Sequence, residues 1–126
     1  MSEVAVALPV SEAAFQKAVI ELAHRFNWKC AHFRPAQNQR GQWLTAVQGD
    51  GAGFPDLVLV RDRIILAELK AEKGTMSDNQ LAWQDTLRGA GVEYHCWKPK
   101  DWDEIEKTLR ATIRSSHFAR NVSGLG

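Results

Sequence analysis

The chain has little cysteine, little proline, no long apolar run and almost no net charge, and each shortage removes a class of protein. Two cysteines in 126 residues, Cys30 and Cys96, are too few and too far apart for a disulfide framework. Both fall in segments that read as strands, as reduced core thiols would. Four prolines and nine glycines leave no collagen-like or low-complexity tract, and no internal repeat is present. No apolar stretch approaches the ~20 residues of a membrane span. The N-terminus also lacks a basic segment followed by a signal-length apolar run, so a cytoplasmic location is expected. A net charge of +1 makes no case by itself for a polyanionic partner. What remains is an ordinary globular composition, long enough to bury about two-thirds of its unfolded surface in one core.

Charge distribution says more than the total. From Glu21 to Asp50 there is no acid, yet His24, Arg25, Lys29, His32, Arg34 and Arg40 fall between them. After Glu106 the acids stop again, while Lys107, Arg110, Arg114 and Arg120 continue. Two basic stretches flanking an acid-bearing middle suit a polyanion that must approach a cation site.

Periodicity divides the chain into an extension over 1–10, one domain over 11–114 and a flexible basic tail over 115–126. A helix is expected over Ser11–Phe26, where Phe15, Ala18, Val19, Leu22, Ala23 and Phe26 form one apolar arc at about 100° per residue. Glu12 falls inside that arc and Glu21 opposite it. Gln16 lies at its edge, placed either to line a site or to meet solvent. A strand follows near Lys29–Arg34, then a loop of some twenty residues to Phe54, longer than a passive connection needs. A second helix over Asp78–Arg88 stops at Gly89 and Gly91, a strand covers Val92–Trp97, and a third helix starts at Asp101. Asp101 with Glu104 reads as a capping box, and Trp102, Ile105, Leu109 and Ile113 as the buried stripe. With the hairpin described next, the order is αβββαβα. That specifies an α/β domain with a mixed sheet, its last strand joined in parallel through a helical crossover.

The hairpin carries the chemistry. Leu57–Val60 and Ile64–Leu69 are apolar runs of strand length separated by Arg61-Asp62-Arg63. If those three residues form the turn, Val60 faces Ile64, and counting outwards brings Asp56 opposite Glu68. Opposed Cβ atoms lie about 5 Å apart, unfavourable for two bare carboxylates but suited to a divalent cation between them. Lys70, two residues beyond Glu68, projects on the same face. Two hard anionic ligands and an ammonium are the equipment of metal-assisted phosphodiester hydrolysis.

Pro55-Asp56, Glu68-Leu69-Lys70, Gly74 and Gln80, in that order and spacing, resemble the PD-(D/E)XK nuclease superfamily, and more narrowly its VRR-NUC branch, over about Ser11 to Leu109. The resemblance implies a restriction-endonuclease-like mixed sheet flanked by helices. It implies catalysis by Glu12, Asp56, Glu68, Lys70 and Gln80, with Mg²⁺ or Mn²⁺ held by Asp56, Glu68 and the Leu69 main-chain carbonyl. Glu12 would join directly or through water; by position alone it could equally serve the helix dipole. Gln80 is also the last residue of the capping box Ser77-Asp78-Asn79-Gln80, and both roles can hold. Stand-alone members of this size, common in phages, imply a homodimeric Holliday-junction resolvase acting on branched DNA, four-way junctions foremost, in the host cytoplasm. Symmetric cuts across a junction need two sites, and one chain supplies one. Exposed apolar residues of the first helix or of the Trp97–Trp102 region are the expected interface. DNA contacts are expected from Arg34, Gln37, Arg40, Gln42, Trp43 and Lys73, with Trp43 either stacking on a base or packing its loop down. The same residues would also serve an enzyme nicking flaps or single strands, or a binding module without chemistry.

Overall fold

Why a helix forms first is plain from its start: Ser11 accepts a hydrogen bond from the Ala14 N–H at 3.0 Å, capping helix α1, Glu12–Arg25. In this computed structural model, residues 10–33, 36–37, 39–41, 43–44 and 49–113 are described. Asn27, at φ 72°, reverses the chain after α1, a conformation asparagine tolerates better than most residues. The strands are β1 (Lys29–His32), β2 (Ala36–Gln37), β3 (Trp43–Leu44), β4 (Leu57–Val60), β5 (Ile64–Leu69) and β6 (Glu93–Trp97). Helix α2 covers Asp78–Gly89, and α3 covers Trp102–Arg110 after a 3₁₀ turn at Pro99–Asp101.

The main sheet runs β1-β4-β5-β6, antiparallel up to β5 and parallel between β5 and β6, with α2 as the crossover. Hence the domain is a mixed α/β fold of restriction-endonuclease-like order. The expected loop over 35–54 is not structureless: β2 and β3 pair in it as a separate two-stranded ribbon. Arg40 and Gly41 lie exposed between those strands.

Burial explains the layering. On one face Leu57, Leu59, Ile65, Ala67, Leu69 and Trp97 pack against Phe15, Val19, Leu22 and Ala23 of α1 and Ile105 and Leu109 of α3. On the other, Leu66 and Tyr94 meet Leu87 of α2, with Phe54, Val58, Trp83 and Cys96 around them. β5 is covered on both faces, so every residue from Ile65 to Leu69 is buried. Cys30 and Cys96 are unpaired and half-buried, and burial pushes both thiols up. His95 stacks on Trp97 while Cys96 Sγ lies 3.6 Å from Met76 Sδ, so the neighbours face opposite ways.

The turn end of the hairpin is an anchor. Arg61 donates to the carbonyls of Phe26 and Leu109 at 2.9 and 3.0 Å, and Arg63 to those of Thr108 and Ala111 at 3.0 and 2.9 Å. Both guanidinium groups lie over the Trp28 ring, whose Nε1 also donates to Leu109 at 2.8 Å. These bonds satisfy carbonyls that the end of α3 leaves without helical partners. One end of the sheet is thereby clamped, and the other carries the site.

Two expectations about this frame are corrected. The first turn of α1 is exposed throughout, Glu12 included, so Glu12 does not share the burial that begins with Phe15. Asp101 makes no side-chain cap to α3; its Oδ2 accepts instead from the Lys98 N–H at 2.8 Å, closing the 3₁₀ turn that Pro99 initiates. The buried apolar residues of α1 and Trp97, at 3% exposure, are spent on the core. Among the described residues the large apolar side chains left exposed are Val10, Val60, Ile64 and Leu81.

Candidate active site

Val60 pairs with Ile64 and Leu57 with Ala67, the register counted from the sequence, and the next pair outward is Asp56 with Glu68. Asp56 turns one oxygen inward: Oδ2 accepts from the Leu69 N–H at 2.9 Å. Glu68 is 1% exposed, and its Oε2 accepts from Gln80 Nε2 at 3.0 Å and lies 3.7 Å from Lys70 Nζ. Glu68 Oε1 is buried with no hydrogen-bond partner among the described residues. Such an orphaned anionic oxygen is costly, and natural cores rarely keep one without use.

Electrostatics agree with the geometry. Burial, reinforced by the charge of Asp56, pushes the Glu68 carboxyl up to about 8, with Lys70 opposing. Asp56 is also raised by burial, held back by the Leu69 N–H. Two carboxylates that resist joint ionisation are the donor set a divalent cation relieves. The residues therefore fit such an ion. Among the described residues no group of three or more His, Cys, Asp or Glu side chains gathers for a metal. Glu12 stays at the rim, where its charge is the last of the contributions raising Glu68.

Gln80 is held by its own helix. Its Oε1 accepts from the Ser77 N–H at 2.9 Å while its N–H donates to Ser77 Oγ at 3.2 Å, the capping box read from the sequence. The other end of the same amide reaches Glu68, so the cap aims the donor. Gly53 sets the distance between α2 and the Pro55-Asp56 segment. At φ +84°, a Cβ there would lie 2.5 Å from Asn79 C and 2.7 Å from Gln80 N. Gly53→Ala is expected to cost about 1–2 kcal/mol in backbone conformation and about 1–3 kcal/mol in overpacking. Gly89→Ala, with nothing within 4 Å of its Cβ, should be neutral or slightly stabilising. Urea midpoints for the two variants check this; equal midpoints would refute the close approach.

Of the residues expected to touch DNA, Lys73 is exposed beside the site and Arg40 is exposed on the ribbon. Gln37 and Trp43 pair through their backbones within it. Arg34 and Gln42 lie outside the described residues. In the second basic stretch, Arg110 is paired with Glu106 and lies over Phe26. One residue read from the sequence only as part of a basic stretch belongs beside the site: His32, which pairs with Leu57 next to Asp56. Extending the hairpin register to β1 would have found it.

Strand order and the acid pair across the hairpin are those of the PD-(D/E)XK nucleases. Within that superfamily the chain belongs to the VRR-NUC family, whose domain model matches residues 9–100. It is thus a nuclease domain, and a nuclease domain binds DNA. No curated protein and no solved structure matches the chain. No helix among the described residues is long and apolar enough to cross a membrane.

Proposed function

We propose that the chain is a Mg²⁺- or Mn²⁺-dependent endonuclease for branched DNA, with the four-way junction as preferred substrate and a homodimer as the working form. The observation that carries the reading is Glu68 Oε1, buried without a partner opposite Asp56 and beside Lys70. Asp56, Glu68 and the Leu69 carbonyl would hold the ion, with Glu12 assisting from the rim through water. When bound, the ion polarises the phosphate and lowers the pKa of water. Asp56 is fixed by the Leu69 N–H and Glu68 by Gln80, so the acids are oriented before substrate arrives. Lys70, on the same face, stabilises charge developing on the phosphate oxygens. Lys73 and Arg40 would meet the flanking backbone. Arg114 and Arg120, outside the described residues, add basic charge for the same partner.

Labelled four-way junction, flap, single-stranded and duplex DNA, incubated with Mg²⁺, Mn²⁺ or EDTA, test the proposal. Paired symmetric nicks at the junction that vanish with EDTA are expected. Cuts confined to flaps or single strands would remove the junction assignment, and cleavage in EDTA would remove the ion.

A further inference from the structure

Among the described residues, Glu68 shares its burial with one other polar side chain. Gln16 on α1 is 7% exposed, and its amide has no hydrogen-bond partner among the described residues. It lines a cavity of about 620 Å³ between α1 and β1, walled by Ala13 and Ile20 and rimmed by Lys17, His24 and His32. That cavity adjoins the active site. His32 pairs with Leu57, and the Phe33 N–H donates to the Asp56 carbonyl at 2.8 Å.

The lining defines a ligand with three parts. Apolar walls take a flat body, the Gln16 amide offers a donor and an acceptor to one polar edge, and Lys17 with the imidazoles suits an anionic group. Glu21, the one carboxylate of the lining, accepts from an amino group and disfavours a second phosphate. A nucleotide has all three parts, and the amide of glutamine matches the adenine edge best. Resting on the nuclease reading above, we infer that the α1–β1 cavity receives one unpaired nucleotide of the bound strand, its base held by Gln16. A base paired and stacked within a duplex arm cannot enter, so the nucleotide must first leave its stack, which costs least at the branch of a junction or in a single strand.

The test uses the adenine analogue 2-aminopurine, placed in turn at each position flanking the branch of a four-way junction and along a single strand, in EDTA. At one position the fluorescence is expected to change severalfold on binding. Gln16→Leu should abolish that change and weaken binding about tenfold. Leucine should not cost stability there, because the amide has no partner to lose. Ala13→Trp, on an exposed helix position lining the cavity, should block entry by filling it. No responsive position, or unaltered binding by both variants, overturns the inference. A response in wild type, lost in both variants, upholds the site even if none of the DNAs is cut, in which case the nuclease reading alone falls.

Discussion

Lys70→Ala is expected to slow single-turnover DNA cleavage by about 10²–10³-fold, the usual cost of removing one group that stabilises developing charge. The side chain is positioned for that work. Its ammonium lies 3.7 Å from Glu68 Oε2, and its backbone directly follows a strand whose residues from Ile65 to Leu69 are buried, so it cannot wander far from the acid pair. A mainly structural lysine would behave differently. Its loss would lower the melting temperature and leave the rate of the folded fraction unchanged. The fold is expected to survive, because the carboxyl beside Lys70 can answer the missing charge by holding a proton: Glu68 is already pushed up to about 8 with the lysine present. DNA affinity in EDTA should fall little, since one phosphate contact among several is lost. A variant that melts at a lower temperature but cuts at the wild-type rate would remove Lys70 from the reaction. The measurement is the rate at saturating enzyme, set beside a thermal melt of the same preparation.

How much of this was legible depended on the range of the interaction. The hairpin register needed only a three-residue turn and the period of two, and Val60 does pair with Ile64. Helix α2 and its box needed only Ser77 and Gln80, three residues apart. Where packing from elsewhere decides, local patterns failed. The apolar arc of α1 was sound from Phe15 onwards, yet Glu12, one turn before it, is exposed. Asp101 followed the capping pattern but was recruited by Lys98, one turn earlier. Arg61 and Arg63 read as solvated turn residues, and their carbonyl partners at the end of α3 lie more than forty positions away. Gln16 could be placed at the edge of the arc, but its cavity exists only once β1 lies alongside.

Glu68→Gln should make the metal-free protein more stable and deaf to divalent ions. The sign follows from the raised carboxyl. Its unfolded value is near 4.5 and its folded value about 8, so the folded chain binds the proton more tightly. Stability from that proton is fully present below about pH 4.5 and is lost as pH rises through about 8. In EDTA the wild-type melting temperature should therefore decline between pH 5 and pH 9, over and above any effect of other groups. Glutamine cannot ionise. Its carbonyl still accepts from Gln80, and its amide nitrogen can donate to Asp56, replacing repulsion by a hydrogen bond. At pH 9 in EDTA the variant should exceed wild type by about 1–4 kcal/mol, the range found when buried charges are replaced. Lys70 opposes the shift and keeps the gain towards the lower end. Adding Mn²⁺ should reverse the order. Wild type gains about 2.7 kcal/mol when the ion is present at a hundred times its dissociation constant, while the variant, lacking an anionic Oε1, gains far less. Equal stabilisation of both proteins would place the ion away from Glu68. Parallel pH curves in EDTA would instead mean that the carboxylate pair is not the source of the strain. Either result would separate the two acids from the chemistry assigned to them.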